Sequence, residues 1–256
     1  MSVLEIVRIP VLRDNYVWLL HCPATGATAA VDPAVAEPVD RALAARGWAL
    51  SAVLNTHHHA DHVGGNLALK RRHDAIVVGP AADADRIPGI DVKVGEGDTW
   101  SLGDATAHVL FVPGHTRGHI AFHFPESAAL FCGDTLFLMG CGRLFEGTPA
   151  QMWDSLRRLR ALPGDSRVFC AHEYTRSNAR FAIQVDPHND ALRRRAEEVE
   201  RARRHGHPTV PGRLDEERAT NPFLRADQPA LAHAVGLDGA DPVEVFAELR
   251  RRKDNF

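Results

Sequence analysis

Four histidines and one aspartate crowd into Thr56-His57-His58-His59-Ala60-Asp61-His62. Read as extended chain, this segment turns His57, His59 and Asp61 to one face and His58 to the other. Gly64-Gly65 follow, and their freedom to turn the chain would bring His62 round to the first face. Imidazoles with one carboxylate suit a borderline divalent metal; zinc is the first choice, and iron and manganese accept similar donors. His58, facing away, reads as structural. Three further donors follow short apolar runs: His115 in Phe111-Val112-Pro113-Gly114-His115-Thr116, Asp134 in Leu130-Phe131-Cys132-Gly133-Asp134-Thr135, and His172 in Val168-Phe169-Cys170-Ala171-His172. Any one of these alone would be a turn residue or a loop histidine. Together they bring the donors to seven, too many for one tetrahedral ion and right for two. Asp134, a carboxylate, is the late member able to bridge a pair of ions.

Donors held this way need strand ends to carry them. Apolar runs at 16–20, 28–31, 52–55, 75–78, 107–112, 120–124, 129–132 and 167–170 are bounded by Gly, Pro or Asp and predict strands. Helical patterns fall at 38–46, 66–72 and 149–159, the last opened by a Thr148 cap and Pro149. Strands in two batches with helices between them imply packed sheets covered by helices, an α/β architecture. After about Tyr174 the strand signals stop. A charged helix is expected over 190–204, a turn-rich stretch over 207–212 and a last helix over 242–252.

Composition narrows the function. The 256 residues carry a formal net charge of −3, which gives no basic footprint for a nucleic-acid backbone. The six arginines between 193 and 204 do not change this, because residues 173–256 hold 15 basic and 15 acidic side chains. That helix reads as a solvated face with i, i+4 pairs such as Arg193–Glu197. No basic segment precedes an apolar block at the start, and no run approaches the ~18 apolar residues of a membrane span. The expected compartment is the cytoplasm, where the four widely spaced cysteines would be thiols.

The series T-H-x-H-x-D-H, G-H-T, G-D-T and A-H-E resembles the metallo-β-lactamase superfamily over 17–172. The resemblance implies a four-layer αββα sandwich with the metals at the strand ends. It also implies one ion held by His57, His59 and His115, a second by Asp61, His62 and His172, and Asp134 bridging. Asp61 and Asp134 are then the catalytic carboxylates. Asp32, in Ala-Val-Asp-Pro, is similar to an acid that orients a ligand histidine, and reads equally well as a turn residue ending a strand. The zinc β-lactamases place a cysteine where Asp134 stands, which argues against antibiotic hydrolysis.

Further motifs resemble the glyoxalase II family, and they extend the match to nearly the whole chain. Cys141-Gly142-Arg143-Leu144-Phe145-Glu146-Gly147-Thr148 is similar to its glutathione loop, His172-Glu173-Tyr174-Thr175 to its last ligand and adjacent tyrosine, and Asn221-Pro222-Phe223-Leu224-Arg225 with Arg250-Arg251-Arg252-Lys253-Asp254 to its C-terminal helices. The resemblance implies a catalytic domain over 1–172 and a helical substrate-recognition domain over 173–256. Arg143, Phe145, Tyr174, Arg250 and Lys253 would meet the substrate, the cations holding the two glutathione carboxylates. Some members have Lys and Tyr where Arg143 and Phe145 stand, so the charge survives and one hydroxyl is lost.

The implied reaction is hydrolysis of S-(2-hydroxyacyl)glutathione thioesters, S-D-lactoylglutathione to glutathione and D-lactate, by a metal-bridged hydroxide in a cytoplasmic monomer. This is the second step of methylglyoxal detoxification. The thiolate leaving group, with a pKa near ~8.5, departs without a dedicated acid. An iron persulfide dioxygenase and a lactonase share the fold and much of the ligand set. The long C-terminal segment argues against the former, and activity on acyl lactones would identify the latter. A nuclease is disfavoured by the missing basic surface, and a non-enzymatic module by the seven donors.

Overall fold

The computed structural model describes residues 3–256, so the first two residues of the expected catalytic domain lie outside the described residues. The chain forms two compact units, one of residues up to Phe111 with Arg117–Gly133, the other of Val112–Thr116 with Asp134–Phe256.

The first unit begins with β1 (Glu5–Val11), β2 (Asn15–His21), β3 (Thr28–Val31), α1 (Glu37–Ala44) and β4 (Ala52–Leu54). It continues through α2 (Ala60–Val63), α3 (Asn66–His73), β5 (Ile76–Pro80) and β6 (Val92–Val94). These strands make one sheet in chain order, antiparallel through β3 and parallel from β3 to β6. Parallel strands need both faces covered, which is why every residue of β3 and β4 is buried and all but Thr28 are apolar. On one face Ile9, Val17, Leu19, Ala30, Val53 and Val77 pack with Val39 and Leu43 of α1 and Leu69 of α3. A meander of β7 (Thr99–Leu102), β8 (Ala105–Phe111), β9 (Ile120–Phe124) and β10 (Ala129–Gly133) completes the unit.

The second unit carries the hairpin of β11 (Leu136–Phe137) and β12 (Gly140–Cys141), then α4 (Pro149–Arg160), β13 (Arg167–Cys170), α5 (Thr175–Val185) and α6 (Asp190–Arg204). After β14 (Gly212–Arg213) come α7 (Leu214–Thr220), α8 (Pro229–Ala234) and α9 (Pro242–Asp254). Thr148 and Gln151 form a reciprocal capping box that starts α4. Stacked and edge-on rings of Phe181, Phe223 and Phe246 fill the core of the helices.

Three elements depart from the expected pattern. β1 was not anticipated, because Pro10 breaks its strand signature; it survives as a sheet edge, where a missing N–H is tolerated. β14 interrupts the strand-free C-terminal stretch by pairing Gly212 and Arg213 with Val168 and Arg167. The alternation expected to carry Asp61 stops at His59, which caps the single-turn α2. It is this turn, and not Gly64-Gly65, that brings His62 round. Among the described residues no disulfide joins the four buried cysteines, and no helix is long and apolar enough to cross a membrane.

Candidate metal centre

In the first unit the cluster grows from the end of β4. His57 is fully buried, His62 is buried, and His59 and Asp61 are partly exposed. His57 Nε2 lies 3.1 Å from His59 Nδ1, and His62 Nε2 lies 3.6 Å from Asp61 Oδ2. In the second unit His115 and His172 each bring Nε2 to 3.4 Å from Asp134, one on each carboxylate oxygen. Two ligands at about 2.1 Å on one tetrahedral ion stand about 3.4 Å apart, so these separations are compatible with a shared ion. Imidazole nitrogens facing carboxylates and one another are a donor set that fits divalent zinc, iron or manganese. The residues that could serve as metal donors are His57, His59, Asp61 and His62 in the first unit and His115, Asp134 and His172 in the second.

Neighbouring hydrogen bonds choose which ring nitrogen is left for a ligand. His57 Nδ1 stands 3.1 Å from Thr56 Oγ1, which donates to Asp32 Oδ2 at 2.8 Å. With the hydroxyl proton spent on the carboxylate, His57 Nδ1–H donates to Thr56 and Nε2 is bare. Asp32 Oδ1 also accepts from Thr56 N at 2.8 Å, and Oδ2 lies 3.2 Å from His62 Nδ1. Asp32 follows β3 at a positive φ of 50°, so it stands where a turn residue ends the strand and also beside Thr56 and His62. His115 Nδ1 donates to the Arg143 carbonyl at 2.8 Å, again freeing Nε2. His172 stacks on Tyr174 with centroids 4.7 Å apart and planes 7° from parallel.

Gly133, with φ +48°, delivers the chain from β10 to Asp134; a Cβ there would sit 2.2 Å from Thr56 Oγ1. Asn15 holds Asp61 by donating to Oδ2 at 2.9 Å and to the main-chain carbonyl at 3.3 Å. Sequence reading missed Asn15, and it missed His119, whose ring stacks on His57 at 4.6 Å. His58 turns away from the other donors to Asp83 Oδ2 at 3.1 Å and to Arg86.

The expected substrate residues all lie in the second unit. Phe145, 63% exposed, sets its ring edge-on to His115, and Tyr174 is exposed beside His172. Arg143 and Arg250 converge on Asp254, at 3.8 and 2.9 Å. Arg250 is buried, over the Phe223 ring; Nε and Nη2 face Asp254, and Nη1 donates to both the carbonyl and the sulfur of Cys141. Lys253 Nζ reaches Ser177 Oγ at 3.4 Å and faces the rings of Phe181 and Phe256. Burial and then the Arg250 charge push its pKa down to about 8. Burial pushes the Cys141 thiol up to about 11, which keeps it protonated and inert.

Comparison with known proteins covers both units. Residues 12–172 match a family described as the metallo-beta-lactamase superfamily, and residues 173–256 match one described as hydroxyacylglutathione hydrolase C-terminus. Proteins named hydroxyacylglutathione hydrolase from Methylococcus capsulatus and Rhodospirillum rubrum are 64% and 57% identical, over 99% and 100% of both chains. Among solved structures, ETHE1 from Myxococcus xanthus superposes with a TM-score of 0.67 at 27% identity, over 98% of each chain. TTHA1623, solved in a di-iron-bound form, gives 0.56 at 29% identity over 66% of this chain and 91% of its own.

Proposed function

The chain belongs to the hydroxyacylglutathione hydrolase family and has the metallo-β-lactamase fold with a C-terminal helical domain; from this we propose that it hydrolyses S-(2-hydroxyacyl)glutathione thioesters, S-D-lactoylglutathione above all. The observation that carries this reading is the match of residues 173–256 to a hydroxyacylglutathione hydrolase C-terminus, which sets the chain apart from other hydrolases of the fold. In this reading residues 1–172 are the catalytic domain and 173–256 recognise the substrate. The reaction is the second step of methylglyoxal detoxification.

His57, His59 and His115 would hold one ion and Asp61, His62 and His172 the other, with Asp134 as a carboxylate available to both. The donor separations near 3.4 Å and the solved relative in di-iron form support a pair of ions. Zinc is the proposed metal, because five of the seven donors are imidazoles. When bound, the two ions acidify a water and offset the negative charge that develops on the thioester oxygen. The chain's own residues do the rest. Thr56, Asp32 and the Arg143 carbonyl fix the histidine tautomers, and Asn15 aims Asp61. Arg143, Arg250 and Lys253 take the glutathione carboxylates, and Phe145 and Tyr174 flank the peptide. The leaving thiolate needs no proton to depart. A monomer is the proposed state, because no sequence feature calls for an interface. A glutathione substrate belongs in the cytoplasm, where that pool keeps thiols reduced.

The test is turnover of S-D-lactoylglutathione by purified protein, followed by loss of thioester absorbance. Chelator-sensitive hydrolysis is expected. No thioesterase activity, with oxygen uptake on glutathione persulfide, would move the assignment to an iron dioxygenase of the same fold.

A further inference from the structure

The hairpin of β11 and β12 lies between Asp134 and Arg143 and is too short to hold itself. It has two residue pairs, Leu136 with Cys141 and Phe137 with Gly140. An isolated two-stranded hairpin is marginal even at greater length. Its turn adds strain: Met139 is fully buried at φ +57°, a left-handed conformation that a side chain rarely adopts.

Main-chain groups of this hairpin are bonded instead by side chains from the helices. Asn221 Nδ2 lies 3.1 Å from the Phe137 carbonyl and 3.0 Å from that of Gly140. Glu217 Oε2 accepts from Met139 N at 2.7 Å and from Asn221 Nδ2 at 3.0 Å. Asn178 Nδ2 donates to the Leu138 carbonyl at 3.1 Å. Asn221 Oδ1 accepts from Phe223 N, which fixes the amide with its nitrogen toward the hairpin. Glu217 and Asn221 are both fully buried. A buried carboxyl is costly unless its bonds repay it. Here one oxygen is spent on the hairpin, and the other has no hydrogen-bond partner among the described residues.

We infer that Glu217 and Asn221 are a clamp that positions the 136–141 hairpin, and through it Asp134 on one side and Arg143 on the other. The inference rests on the thioesterase reading above. Gly142 N donates to Thr135 O at 3.3 Å, tying the two ends of the hairpin together. A Cβ on Gly142 would lie 2.0 Å from the Asp134 carbonyl and 3.0 Å from His115 Nδ1. The Arg143 carbonyl sets the His115 tautomer. A hairpin that drifts therefore moves a carboxylate ligand, loosens a histidine ligand and displaces a substrate-binding cation together. A helix that only supplied stability would not need to grip these four consecutive residues by their backbone.

The experiment compares Glu217→Met, Glu217→Gln and Asn221→Ser as purified holoenzymes. Burial pushes the Glu217 carboxyl up to about 7, and a glutamine oxygen can accept the same two bonds, so Glu217→Gln is the conservative control. Glu217→Met should raise KM for S-D-lactoylglutathione about tenfold, lose metal faster to chelator, and speed amide exchange at 137–141. Glu217→Gln should stay within about twofold of wild type on all three. If Glu217→Met does not fold, Asn221→Ser should show the same three changes. A lower melting temperature with KM, metal retention and exchange at 137–141 all unchanged overturns the inference. If the wild-type protein hydrolyses no glutathione thioester, the parent reading fails alone, because exchange and metal retention still decide the clamp.

Discussion

Thr56→Val removes one hydroxyl at constant shape and isolates the relay that runs from Asp32 to His57. The hydroxyl is buried, donates to Asp32 Oδ2 at 2.8 Å and accepts from His57 Nδ1 at 3.1 Å. Two costs follow, and they are separable. His57 loses the partner that fixes its tautomer, and loss of such an outer hydrogen bond weakens metal binding by about 10–100-fold, or roughly 1.4–2.7 kcal/mol. Asp32 loses one acceptor contact but keeps Thr56 N at 2.8 Å and His62 at 3.2 Å. The folding cost of the apoprotein should therefore stay near 1–3 kcal/mol, a Tm drop of roughly 2–12 °C for a chain of this size. Metal release against a graded chelator measures the first cost, and apoprotein melting the second. The expected result is release of one ion at about 10–100-fold lower chelator strength. An unchanged chelator profile with a lowered apoprotein Tm would refute the reasoning and reduce the relay to a fold contact.

Other perturbations probe the substrate side and the hairpin. Lys253 is held at about 8 by burial and then by Arg250, so it is a cation below that pH and loses its charge above it. KM for the glutathione thioester should rise about five- to tenfold between pH 7 and 9, and Lys253→Met should flatten this rise; an unchanged pH profile in the variant would remove Lys253 from substrate binding. Phe145→Tyr restores the hydroxyl that some relatives carry, and should lower KM about two- to tenfold with kcat unchanged. Gly142→Ala places a Cβ against the Asp134 carbonyl and His115. At least a tenfold loss of activity with reduced metal content is expected, and a fully loaded, fully active variant would contradict the packing described here.

The chemistry was more legible in the sequence than the scaffolding that aims it. His57, His59, His115, Asp134 and His172 each follow an apolar run and a turn signal, so residue type and place coincide. Asp61 and His62 were legible as donors but not in geometry, since a single helical turn leaves no periodicity to read. Asn15 was invisible: it contacts Asp61 across 46 residues of sequence, and an asparagine beside a turn has a local explanation already. β1 was hidden by Pro10, and the two-residue strands of the 136–141 hairpin are shorter than any alternation can register. Arg250 carried a charge suited to a carboxylate site, but only the folded helix shows that most of its donors already face Asp254 and Cys141.

The central claim is a two-ion centre bridged by Asp134, and metal content measured beside turnover tests it most directly. Wild-type protein should purify with about two divalent ions per chain and hydrolyse S-D-lactoylglutathione. Asp134→Ala and Asp61→Ala should each lose metal and turnover together. Full activity with normal metal content in either variant, or a single ion in the active wild-type protein, would contradict the account.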